Sequence, residues 1–181
     1  MSMRSLAGVV LSLALAGCAG TAAVVETPNL GRPVTEAEIA GWDISIAPDG
    51  AGLPAGRGTS AQGALVYEAK CQTCHGAKGA GQPNDRLVGG QGTLASPAPV
   101  RTIGSYWPYA TTVFDYVRRS MPYTQSQSLT NDEVYAVTAY LLHQNGIIGE
   151  TDEMNAQTLP KVKMPNRDNF IVVYPTKPTA R

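Results

Sequence analysis

The chain has 181 residues, 43% of them hydrophobic and 15% charged, with fourteen basic residues balanced by fourteen acidic ones. That suits one domain with extensions around a modest core, and the zero net charge removes the polyelectrolyte argument for nucleic acid as a partner. Nineteen glycines and thirteen prolines put much of the chain in loops.

Arg4 gives a short basic start, and LAGVVLSLALAG, residues 6–17, is an apolar run too short to span a membrane comfortably. It ends in LAGC, residues 15–18, which resembles the lipobox of bacterial lipoproteins. That resemblance implies export, removal of residues 1–17 as a signal peptide and lipid on Cys18, so that acyl chains hold the protein at a membrane surface without a spanning helix. The expected location is the bacterial periplasm, lipid-anchored to a membrane. An ordinary cleaved signal with an incidental cysteine is the plainer alternative. Residues 18–59 follow as a tether and N-terminal extension. Thr35 and Glu38 can make a capping box for one helical turn, and Trp42, Ile44 and Ile46 alternate with polar residues like a short strand. Such a segment either packs on its own domain or straps over a partner.

Residues 59–71, TSAQGALVYEAKC, carry a T-x-x-Q capping box at Thr59 and Gln62. Gly63, Tyr67 and Cys71 recur every fourth residue on one helix face, and a glycine there lets another helix come close. The helix is expected to end at CQTCH, residues 71–75, for which three readings compete. A zinc site needs about four protein ligands, and the other histidine, His143, lies far downstream. A thioredoxin-type redox pair wants a βαβ context, and no strand pattern precedes Cys71. If Cys18 carries lipid, a disulfide between Cys71 and Cys74 is allowed in an oxidising compartment, but so small a loop removes little unfolded-state entropy. C-x-x-C-H is also the signature of covalent haem attachment, with both thiols adding to the haem vinyl groups and His75 as proximal iron ligand. Export, flanking helices and a soft ligand downstream favour that third reading.

GGQGTLASPAPV, residues 89–100, reads as loop, and Trp107 and Tyr109 in YWPYA either line a haem pocket or fill ordinary core. ATTVFDYVRRS, residues 110–120, places Val113, Phe114 and Val117 on one side and is expected to stop before Met121, because Pro122 disfavours helix in the residue preceding it. Met121 is the candidate sixth ligand, since a polarizable thioether suits iron. Met1 and Met3 lie in the signal and Met154 and Met164 in a polar tail, while His143 is the rival. Arg118 and Arg119 either pair with a haem propionate, face a partner, or form a solvated helix end. In LTNDEVYAVTAYLLHQNG, residues 129–146, Thr130 and Glu133 form a capping box, Leu129 can staple onto Val134, and Val134, Val137, Tyr140 and Leu141 form an apolar stripe that Asn145 and Gly146 terminate. Residues 60–146 hold six basic and five acidic residues, so no lysine-rich ring exists to steer an acidic partner. The tail, residues 147–181, contains FIVVY, whose apolar surface predicts docking on this domain or on another chain.

Taken together, these residues resemble class I cytochrome c over about residues 60–146. The resemblance implies an all-α fold with helices packed around one covalently bound haem c, flanked here by irregular N- and C-terminal extensions. It implies a crossing of the first and last helices at Gly63, Tyr67 and Tyr140. It likens GQPN to the family's proline after the haem motif, so that the Pro83 carbonyl would accept a hydrogen bond from the non-ligating nitrogen of His75. More narrowly, TIGSYWPYATTVFDYVRRSMPYTQSQSLTNDEVYAVTAYLL and the trailing MPNRDNF are similar to the cytochrome subunit of Sox-type sulfane-sulfur dehydrogenases and related sulfite dehydrogenases. That similarity implies an electron-transfer subunit draining a molybdenum-cofactor dehydrogenase subunit toward a downstream cytochrome or oxidase, with no substrate chemistry on this chain alone. The better-known members carry two haem modules in a longer chain, whereas this chain has one C-x-x-C-H. A free membrane-tethered electron carrier to a terminal oxidase or reductase is the alternative.

Overall fold

The computed structural model describes residues 30–171 and residue 173. Cys18 and the rest of the expected signal and lipidation site lie outside the described residues, as does most of FIVVY beyond Phe170 and Ile171. The chain divides into two compact units, one ending at Gly41 and one beginning at Trp42. In the first unit, α1 (Glu36–Ala40) forms where expected. The Thr35 side chain accepts from the Glu38 N–H and the Glu38 carboxylate accepts from the Thr35 N–H, with Arg32 paired to that same carboxylate. None of the five helical residues is buried.

The second unit begins irregularly. The strand expected around Trp42, Ile44 and Ile46 does not form. Its backbone groups go to local turns, Ile44 N–H to the Trp42 carbonyl (3.0 Å) and Ala47 N–H to that of Ala51 (2.9 Å), and no strand lies alongside. Ile46 packs against the core while Trp42 stays 89% exposed. After it come β1 (Arg57–Thr59), α2 (Ser60–Lys70), α3 (Gln72–His75), α4 (Ala110–Ser120), α5 (Asn131–Gln144) and β2 (Glu153–Asn155). A long loop between α3 and α4 holds a 3₁₀ turn at Ala77–Gly79. The architecture is the expected all-α class, with one addition: β1 and β2 pair antiparallel, Gly58 opposite Met154.

The two capping boxes at Thr59 and Thr130 form as read. They start α2 and α5, which cross at Gly63. A Cβ there would overlap the Ala136 carbonyl oxygen, so the two backbones are in direct contact. Beside the crossing, Tyr67 and Tyr140 stack at 5.1 Å between ring centroids. Lys70, closing α2, meets Glu133 in the first turn of α5 at 2.7 Å. The lysine, then the Thr130 backbone N–H, hold the Glu133 carboxyl below its ordinary value.

α5 is the centre of the molecule rather than a one-sided amphipathic helix. Every residue from Val134 to Leu142 is buried, Thr138 included, where a stripe was expected. The extra faces are covered by β1, β2, α4 and the segments outside residues 60–146. Phe114 of α4 lies 4.4 Å from Tyr135, ring to ring, and the Tyr135 hydroxyl donates to the Pro54 carbonyl (2.9 Å). Met154, Leu159 and Met164 are 4%, 0% and 3% exposed and belong to the same core cluster. This corrects the expectation that Met154 and Met164 sit in a polar tail. Up to Met164, at least, the tail docks on its own domain. No helix among the described residues is long and apolar enough to cross a membrane.

Candidate functional site

The site is built on one helical turn. α2 closes at Cys71, whose N–H donates to the Tyr67 carbonyl (2.9 Å), and α3 opens from the same residue. The N–H groups of Cys74 and His75 both return to the Cys71 carbonyl, at 3.1 and 3.0 Å. One turn therefore stacks Cys71, Cys74 and His75 at positions i, i+3 and i+4, neighbours on one helix surface. Gly76, at φ 73°, ends the turn in a conformation that favours glycine, and its carbonyl accepts from the buried Tyr67 hydroxyl (2.8 Å). Burial pushes that hydroxyl up to about 12, so it stays a donor at neutral pH. Burial likewise pushes the Cys71 thiol up to about 11, against the pull of Lys70. Cys71 is half-buried, Cys74 is exposed, and the two are not joined in a disulfide.

The chain then loops back under the turn. Gly81 N–H donates to the His75 carbonyl and Asn84 N–H to the Cys74 carbonyl, each at 2.8 Å. These bonds satisfy acceptors that a short helix leaves open. They also bring the Asp85 carbonyl to 2.8 Å from His75 Nδ1. The expected acceptor, the carbonyl of Pro83, is not the one used. Pro83 sits inside a tight turn closed by Gln82 N–H on the Asn84 carbonyl (2.8 Å), and the chain presents its next available carbonyl to the imidazole only after Asn84 has docked on Cys74. A carbonyl can only accept, so Nδ1 carries a proton, and in the neutral ring the lone pair is then on Nε2. That is the tautomer of an imidazole prepared to bind a metal through Nε2.

The remaining candidates flank α4. Met121 caps its C-terminus in extended backbone (φ −118°, ψ 146°), half-buried, with Pro122 after it as the sequence requires. Trp107 precedes α4, partly buried against the core and edge-on to Tyr116 at 5.7 Å. Arg119 pairs with the buried Asp115 one turn back, and Arg118 reaches the Ile44 carbonyl at 3.5 Å, so both arginines near Met121 have protein partners. His143, in the last turn of α5, lies 3.4 Å from the Ile148 carbonyl through Nδ1. Among the described residues no group of three or more His, Cys, Asp or Glu side chains converges as for a bare metal ion, so the zinc reading finds no ligand set. The donors present, two thiols and an oriented imidazole on one turn, fit a c-type haem.

Sequence reasoning missed Asp85, whose role belongs to its backbone and carries no side-chain signal. It also missed a polar cluster around Asn145, read only as a helix stop. That side chain accepts from Gly89 N–H (3.0 Å) and donates to the carbonyls of Leu87 (3.2 Å) and Leu141 (2.8 Å). An asparagine after an apolar helix followed by glycine signals a terminus, and nothing local announces partners more than fifty residues away.

Residues 58–141 match the family model described as cytochrome C oxidase, cbb3-type, subunit III. Among solved structures, a chain of the sulfane dehydrogenase SoxCD from Paracoccus pantotrophus is similar, with 42% sequence identity and a TM-score of 0.77. The match covers 80% of this chain and 72% of that one. No curated protein matches significantly.

Proposed function

We propose that this chain, which belongs to the class I cytochrome c family, is the monohaem electron-transfer subunit of a periplasmic molybdenum-dependent dehydrogenase that oxidises a sulfur compound, sulfite or sulfane sulfur. That the chain is a cytochrome c electron carrier follows from its family. The observation that carries the finer reading is the 42% identity, over 80% of the chain, to a chain of a sulfane dehydrogenase. The resemblance to cytochrome subunits of that group supplies the molybdenum-cofactor partner and a downstream cytochrome or oxidase as electron acceptor. The LAGC sequence supports lipid on Cys18 and a periplasmic, membrane-anchored location.

Haem c, when bound, would supply a one-electron iron couple. The residues that would hold it are Cys71 and Cys74 through thioethers, His75 through Nε2 and Met121 through its sulfur. The Asp85 carbonyl fixes the His75 ring and raises its basicity by accepting the Nδ1 proton. Met121, as a soft thioether, would favour the reduced metal and so raise the potential relative to harder ligand sets. Trp107, on the flank of α4, would exclude water from the pocket, which disfavours the extra charge of the ferric state. No residue here performs bond chemistry on the sulfur substrate.

The test is partner capture. The native protein is isolated gently from membranes, bound molybdenum is assayed, and sulfite or thiosulfate is added while the haem spectrum is followed. Stoichiometric molybdenum with haem reduction by one of the two compounds is the expected result. A haem protein that comes away alone and ignores both compounds would replace this reading with a free membrane-tethered carrier.

A further inference from the structure

The segment that presents the Asp85 carbonyl to His75 is held from its far side by one buried amide. Leu87 N–H and Val88 N–H both donate to the Gly79 carbonyl, at 2.9 and 3.1 Å, closing residues 79–88 into a small loop against the C-x-x-C-H turn. Those bonds lie within the loop, and the Gly81 and Asn84 N–H groups tie it to the C-x-x-C-H turn; none of these bonds reaches α5. Asn145, 8% exposed at the end of α5, makes the tie. Its Nδ2 donates to the Leu87 carbonyl and to the Leu141 carbonyl, and its Oδ1 accepts from the Gly89 N–H. One side chain thus clamps the backbone on both sides of Val88 and anchors it to the last turn of α5. The Thr102 hydroxyl donates to the Gly89 carbonyl, and Gln91 reaches the Asn145 backbone carbonyl at 3.2 Å and, at the limit of a hydrogen bond, its Oδ1 at 3.5 Å. The space around the amide is filled: a Cβ on Gly104 would overlap Asn145 Oδ1.

We propose that Asn145 is a positioning residue for the iron ligand His75: its buried amide fixes the backbone at Leu87 and Gly89 and so, together with the Asn84–Cys74 bond on the other side, holds the Asp85 carbonyl that orients the imidazole. The inference rests on His75 being the proximal haem ligand. Its physical content is a sign. A short bond from Nδ1–H to a carbonyl makes the imidazole a stronger donor, which stabilises the ferric state and lowers the potential. If Asn145 keeps that bond short, removing the amide weakens the bond and the potential rises. If Asn145 only fills space, its removal admits water, which favours the more highly charged ferric state, and the potential falls.

The experiment compares holo-protein carrying Asn145→Leu, Gly104→Ala and Gln91→Ala. The first variant deletes the amide at similar volume, the second displaces it, and the third leaves all three of its side-chain bonds to backbone intact. Each is read by midpoint potential and by the proton resonance of His75 Nδ1–H in the reduced state. The expected result is a shift of about tenfold toward the reduced form, about 59 mV for one electron, in Asn145→Leu and in Gly104→Ala. Faster solvent exchange of the Nδ1 proton accompanies it, and Gln91→Ala stays near wild type. An unchanged or lowered potential in the first two variants overturns the inference, and if Asn145→Leu does not fold, Gly104→Ala decides alone. A wild-type protein without a His-ligated c-type haem spectrum would instead bring down the functional reading, so the two failures are distinguishable.

Discussion

At the scale of a residue, the chemistry turns on which donor atoms are left free. His75 has one ring nitrogen committed to the Asp85 carbonyl and one available, so a backbone oxygen selects the nitrogen that can bind a metal. The proposed sixth ligand is Met121, half-buried at the C-terminus of α4. Its backbone is extended there, as the following proline requires. Met121→Ala is therefore expected to open the sixth position. The midpoint potential should fall, on a scale where axial ligand identity spans about 0.8 V, and added imidazole should bind and change the spectrum. A variant with unchanged potential and no affinity for imidazole would remove Met121 from the ligand set. The C-x-x-C-H spacing and the Met-Pro pair were readable because each encodes its geometry within five residues. The acceptor for His75 was not, because a loop's path decides which carbonyl arrives, and Asp85 contributes only atoms that every residue has.

At the scale of an element, the crossing of α2 and α5 positions the site, since α2 ends where Cys71 begins and the Tyr67 hydroxyl holds Gly76. The crossing tolerates no side chain at Gly63, because the atom it would meet is the backbone oxygen of Ala136. Backbone in the middle of a fully buried helix cannot retreat without displacing the core. Gly63→Ala should destabilise the fold by about 1–3 kcal/mol, the usual cost of overpacking, despite alanine's better helix propensity. Gly149→Ala, whose Cβ would meet only Asp152 side-chain atoms at 3.3–3.5 Å, serves as the comparison. Chemical denaturation of both holo-variants checks this, and equal midpoints would mean the helices can separate freely. Both helices were legible from their capping boxes, and Gly63 and Tyr67 from their four-residue spacing. The burial of α5 on every face from Val134 to Leu142 was not. Its outer faces are covered by residues 44–58 and 147–164, which carry little periodicity of their own, and Thr138 gives no sign of being buried on a helix that reads as amphipathic.

At the scale of the whole molecule, the cytochrome unit closes on itself through its extensions. β1 precedes α2 and β2 follows α5, so their pairing at Gly58 and Met154 joins the two ends of the haem-bearing segment. Beyond β2, Leu159 and Met164 enter the same core as Phe114 and Val137, and Asn166 donates to the Tyr106 carbonyl at 2.9 Å. Burying a Leu or Met side chain contributes about 1.5–3 kcal/mol relative to leaving it exposed. Losing Met154, Leu159 and Met164 together therefore removes an amount comparable to the whole stability of an ordinary domain, about 5–15 kcal/mol. A chain cut after Gly146 keeps the haem motif, Met121 and both crossing helices, and a reading of the tail as a separate docking element would have it fold. The packing says otherwise. The truncated protein is expected to lose cooperative thermal unfolding, whereas a chain cut after Phe170 keeps it. Holo-protein of both lengths, followed by calorimetry, separates the two views. A cooperative transition in the shorter chain near that of the longer would show that the tail's burial contributes little, and that its place is on a partner's surface instead.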